Sequence, residues 1–280
     1  MSLLFAATLF LSAVLLFWSQ PLVGKMVLPL LGGTPAVWNT CMLFFQAALL
    51  AGYAYVLAVT RWLGPRGQAV LHAALLAAAA LALPFVVSEA TAGGVSSEGS
   101  PVGWLLASLA LTVGPPFFVL SASAPLLQNW YSRTRARSAG DPYFLYAASN
   151  AGSLAALLGF PLLFEPALTL GRQGRLWAAG YFVLGALVVA CAFASLAKGR
   201  RAAAGEGVEA EGEVDEGAAG LTWRRRLRWV ALAFVPSSLV LGATTYITTD
   251  VASVPLLWVL PLSLYLLSFV VVFARRKVLR

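Results

Sequence analysis

Charge is scarce in this chain. Of 280 residues, 11% are Asp, Glu, Lys or Arg, while 60% are hydrophobic and the mean hydropathy is +0.83. A soluble domain carries about 25% charged residues. The shortage excludes an ordinary water-soluble globule and suits lipid, where a buried charge is costly or forces a water defect. Cysteine is nearly absent too. Cys41 and Cys191 both fall in apolar stretches, so they read as small core hydrophobes rather than a disulfide or metal pair. His72 is the single histidine, with no evident nucleophile or carboxylate to work with, and it reads as a helix-packing or interfacial side chain. No G-x-S-x-G, H-E-x-x-H, C-x-x-C or phosphate-binding P-loop occurs. No intramembrane carboxylate pair suggests a proton relay. The sequence therefore gives no positive sign of catalysis, a metal site or a cofactor.

What the chain does have is long apolar runs. A helical crossing needs about 20 apolar residues. Such stretches lie near 3–19, 36–60, 68–88, 103–127, 143–163, 176–196, 229–247 and 252–274; Pro and Gly interrupt the fourth and fifth. They predict an all-α fold: a polytopic transmembrane helical bundle of about eight spans in a bacterial inner membrane. The N-terminal run lacks a basic leader and an A-x-A site, so it reads as a retained first span.

Basic residues fix an expected orientation. With the N-terminus in the cytoplasm, Arg61, Arg66, Arg133, Arg135, Arg137, the Lys198–Arg228 stretch and the tail from Arg275 to Arg280 all fall inside. Only Lys25, Arg172 and Arg175 fall outside. The positive-inside rule selects N-in and C-in, which requires an even number of crossings. The net charge of +8 then belongs to anionic lipid headgroups rather than to nucleic acid.

Three segments follow: a six-span block over 1–197, a charged cytoplasmic loop over 198–228, and a two-span hairpin with a basic tail over 229–280. The loop opens with KGRR, passes through AAAGEGVEAEGEVDEGAAG and ends in WRRRLR. It has too little apolar surface to fold alone and reads as a flexible linker, with a partner-docking site as the alternative.

Local signals refine the spans. Thr34-Pro35 and Asp141-Pro142 each place an acceptor at a helix N-cap and Pro at the first helical position. Gly114-Pro115-Pro116 predicts a kink or interruption. Pro236, Pro255 and Pro261 are candidate bends in the last two spans. Broken helices in membranes often line cavities. The ASNAGS run at 148–153 spaces small residues for close helix packing.

Polar residues within the spans are few, so each is a candidate for solute binding or for interhelical hydrogen bonding. Asn39, Gln46, Asn150, Thr244, Thr245 and Asp250 stand out in a set that also holds Tyr53, Gln128, Asn129, Tyr146, Thr248 and Thr249. Asp250 also suits a cap on the eighth span. Lys25 sits in QPLVGKMVLPLLGG, a segment too short to cross again, which reads as an interfacial or re-entrant element. Asp250 and Glu165 are both candidate partners for Lys25.

The strings PLVGKMVLPLLGGTPAVWNTCMLFFQAALLAGY (21–53), APLLQNWYSRT (124–134), DPYFLYAASNAGSLAALLGFPLLFEP (141–166) and the run 227–276 resemble one family. It is the membrane portion of bacterial fused major-facilitator-like/spermidine-synthase-like proteins. The resemblance covers nearly the whole chain outside the acidic loop. It implies a distantly major-facilitator-like bundle that precedes a soluble aminopropyltransferase-like domain. That domain's glycine-rich nucleoside loop and acidic polyamine site do not occur here, so the resemblance carries over no catalytic residue. Eight spans also fall short of the twelve of a complete major-facilitator transporter.

These readings leave three expectations. The first is a non-enzymatic membrane module that anchors a cytoplasmic spermidine-synthase-like domain, fused or separate, and handles a small amine or related solute. The second is a stand-alone secondary transporter. The third is a membrane scaffold or assembly protein.

Overall fold

A computed structural model describes residues 1–32, 34–87, 101–134, 143–205, 222–247 and 259–273. Among them all regular structure is helical. The helices are α1 (Ser2–Leu31), α2 (Pro35–Trp62), α3 (Pro65–Ala80), α4 (Pro101–Thr112), α5 (Gly114–Ser132), α6 (Tyr143–Gly159), α7 (Leu170–Gly205), α8 (Trp223–Tyr246) and α9 (Val259–Phe273). Five helices are long and apolar enough to cross a membrane, and a sixth if α4 and α5 form one bent span.

The bundle is built around α1. Its fully buried Phe5, Leu9, Leu15, Leu22 and Val27 mark one broad core face, while Leu3 and Phe10 stay exposed on the opposite side. It packs against α6, α7, α5 and, more lightly, α2. The expectation of a re-entrant segment after residue 20 is corrected: α1 runs unbroken to Leu31, with Pro21 and Pro29 inside it. Val23 and Val27 continue the core face, and Glu165 meets the Lys25 charge. At 1.5 Å per residue, 30 residues make a rod of about 45 Å, well beyond an apolar layer of about 30 Å.

Other boundaries shift for local reasons. Thr34 caps α2 by position and Pro35 is its first residue, yet the Thr34 side chain makes no capping bond. The third expected span stops early. α3 ends at Ala80, and Pro84 follows a short turn, where it cannot continue a helix. The Gly114-Pro115-Pro116 signal coincides with a 65° bend between α4 and α5. α6 passes into a π-helical turn, Phe160–Phe164, and one α-turn, Glu165–Ala167. Both ends of the charged 198–228 stretch are helical, to Gly205 and from Trp223. The Asp141-Pro142 cap lies outside the described residues.

Direction along the bundle follows from side-chain contacts. Ser2 meets Tyr131 at 3.0 Å, and Tyr131 meets Phe144. Thr8 meets Cys191, while the Trp177 indole N–H donates to the Leu15 carbonyl at 2.8 Å. Thus α5 and α7 run antiparallel to α1, and α6 runs parallel to it. One end gathers Met1, Arg66, Arg133 and the approach to Lys198; the other gathers Lys25, Glu165, Arg172 and Arg175. Gly152 seats α6 on α1: a Cβ there would collide with the Phe10 carbonyl. α9 packs on α6 and meets Phe17 of α1 and Trp38 of α2, and α8 packs on α9 with no buried residue of its own.

Candidate functional site

Three polar groupings sit in this apolar frame. The first is a seam between α2 and α6. Asn39, Gln46 and Tyr53 recur every seven residues, so they share one face of α2, and all three are exposed at the bundle surface. Tyr53 lies within electrostatic range of Tyr146 on α6, and half-buried Asn150 follows one turn further along. α2 and α6 do not pack along their lengths, and α1 lies against both. Towards the Lys25 end, Trp38 and Phe17 join an apolar cluster of Leu157, Val259, Leu262 and Leu266, which closes the seam there.

The second grouping is the end of the bundle where α6 breaks. Lys25 and Glu165 form an ion pair, each side chain about one-third exposed (31% and 32%). Next to it Gln173, 2% exposed, donates from Nε2 to the carbonyls of Phe164 (3.2 Å) and Leu168 (3.0 Å). Its Oε1 accepts from the Trp18 indole at 3.5 Å. Trp18 in turn stacks on Phe164, with ring centres 4.0 Å apart. The Phe164 carbonyl also accepts from the Leu168 N–H at 3.0 Å, so Gln173 adds a second donor there and supplies a side-chain donor to Leu168, where the short helical turn ends. Gln173 escaped the sequence reading because it stands between Arg172 and Arg175 and resembles a solvated helix start.

The third grouping is fully enclosed. His72 is 1% exposed and its Nε2 lies 3.1 Å from Ser123 Oγ. The Ser123 hydroxyl donates to the Val119 carbonyl at 2.8 Å, so it accepts from His72. The ring is therefore the Nε2–H tautomer, and its Nδ1 lone pair faces the interior without a partner among the described residues. The Tyr55 ring stacks against His72, and the Tyr55 hydroxyl is likewise buried and unpartnered. One turn before His72, Gln68 accepts from the Trp130 indole at 3.1 Å and donates to the Leu63 carbonyl at 2.8 Å.

The expected site residues are thus dispersed. Asn39, Gln46 and Asn150 border the seam. Thr244 and Thr245 lie on α8, with hydroxyls bonded back to the Val240 and Leu241 carbonyls. Asp250 lies outside the described residues. No group of three or more His, Cys, Asp or Glu side chains converges as a metal site among the described residues.

No family model, no curated protein and no solved structure matches this chain. Its chemistry is read from its own residues.

Proposed function

We propose that the chain is an eight-crossing inner-membrane module that carries a small polar solute, an amine or a relative of one, in the α2–α6 seam. In this reading its cytoplasmic end holds a spermidine-synthase-like domain. The observation that carries the solute reading is the repeat of Asn39, Gln46 and Tyr53 on an otherwise apolar helix, with Tyr146 and Asn150 across from it. Amide oxygens accept hydrogen bonds from an ammonium group, and phenol rings attract its charge through their π faces.

Sidedness draws support from the bundle itself. Arg61, Arg66 and Arg133 share the Met1 end; the other end holds Lys25, Arg172 and Arg175, of which Lys25 is neutralised by Glu165. By the positive-inside rule the Met1 end is cytoplasmic. The eight-crossing count includes α3 and α9, at 16 and 15 residues. The attached domain rests on the family resemblance of the sequence strings.

Counterflow of labelled amines in proteoliposomes tests the solute role. Wild-type protein exchanges at least one amine, and Gln46→Leu with Asn150→Leu abolishes that exchange while the melting temperature holds. No exchange by wild type across a broad amine panel would remove the solute role. A C-terminal reporter active only in the periplasm would remove the topology.

A stand-alone secondary transporter is the second reading. The 65° break between α4 and α5 and the π-turn after α6 favour it, since interrupted helices beside a cavity are the usual hinge and binding elements of such proteins. Uptake driven by an ion gradient with no added soluble domain distinguishes it.

A further inference from the structure

A groove runs between α3 and α7 on the far side of the bundle from the seam. It encloses about 310 Å³, near the lower limit for small-molecule sites. The small side chains of Ala69 and Ala73 on α3, and of Ala192 on α7, leave the space. Val70, Val189 and Phe193 form its walls, and the buried Trp130 ring lines it from α5. Trp130 has its indole N–H committed to Gln68, so it offers the groove only its apolar face.

One charge lines this groove: Arg66, at the start of α3 and exposed. An adjoining recess is bounded by Pro65, Ser195 and Leu196. The groove therefore has a long apolar bed with one cation, Arg66, on its lining, and no acidic side chain lines it among the described residues.

We propose that this groove is a binding site for one anionic phospholipid, an acyl chain lying along Ala69, Ala73 and Ala192 and the phosphate headgroup on Arg66. The chemistry is specific in two parts. The apolar bed accepts any acyl chain. The guanidinium selects the headgroup, because it pairs with phosphate oxygens through two parallel N–H bonds, and phosphatidylglycerol, unlike phosphatidylethanolamine, has no ammonium of its own to compete. The site is separate from the α2–α6 seam and does not depend on what that seam carries.

Native mass spectrometry of the purified full chain tests this, with phosphatidylglycerol and phosphatidylethanolamine of identical acyl chains as probes. Wild type retains one phosphatidylglycerol about fivefold more than phosphatidylethanolamine, the preference expected of one basic residue near a lipid surface. Arg66→Gln brings the two lipids level while one lipid still binds. Ala192→Phe fills the bed and removes that lipid whichever headgroup it carries. Should Ala192→Phe fail to fold, a photoreactive acyl probe on wild type labels the 188–196 segment. Equal retention of the two lipids by wild type overturns the proposal. So does a preference that survives both substitutions, or photolabelling confined to other helices. Dimers crosslinked through Val70 and Phe193 would give the groove to a second copy instead, which also overturns it.

Discussion

His72 donates its Nε2–H to Ser123 because the Ser123 proton is already committed to the Val119 carbonyl. Replacing Ser123 with Ala leaves both ring nitrogens of a buried imidazole unpartnered. This change is expected to cost about 1–3 kcal/mol. In a His72→Phe background the same change costs much less, since no polar ring remains to be orphaned. Thermal unfolding of the two single variants and the double variant in detergent measures the coupling; simple additivity would contradict the pairing.

Gln173 is expected to be more important to the fold than its place between two arginines suggests. Gln173→Leu keeps the volume and removes the donors to Phe164 and Leu168. The expected loss is about 2 kcal/mol, because the Leu168 carbonyl loses its side-chain donor and the buried Trp18 indole loses its acceptor. Melting temperature reads this, together with faster proteolysis after α6.

The Lys25–Glu165 pair, by contrast, is one-third exposed. Glu165→Gln is expected to shift stability by less than about 1 kcal/mol. Exchanging the two charges, Lys25→Glu with Glu165→Lys, restores the wild-type melting temperature if the pairing is direct.

Two glycines separate packing from helix propensity. Gly152→Ala drives a methyl group into the Phe10 carbonyl and is expected to cost about 1–3 kcal/mol through overpacking. A Cβ at Gly185 meets nothing within 4 Å. Gly185→Ala is therefore neutral or stabilising, by up to about 1 kcal/mol. Parallel melts of the two variants check the contrast.

Much of this architecture is legible in the residues. Apolar runs separate the helices, Pro35 marks the start of α2, and the Gly114-Pro115-Pro116 break marks the bend. Small residues of the ASNAGS run mark the α6 contact with α1. Other features depend on partners far away in sequence. In the residues alone Lys25 belongs to an interfacial or re-entrant element with Asp250 and Glu165 both open as partners, and it is the fold that brings Glu165, 140 positions later, to it. Gln68 and Gln173 carry no signal of their own in the sequence, standing close to Arg66 and Arg172, and only the fold shows the carbonyls they serve. Of the expected polar residues, those on α2 and α6 share a seam because they stand on faces turned from the core. Thr244 and Thr245 sit on a helix that the core does not enclose.

α6 is held by α1, through Gly152, and by α9. α8 reaches the bundle through α9. A rocking of α6 away from α2 would therefore carry α9, and α8 with it, as a single lever.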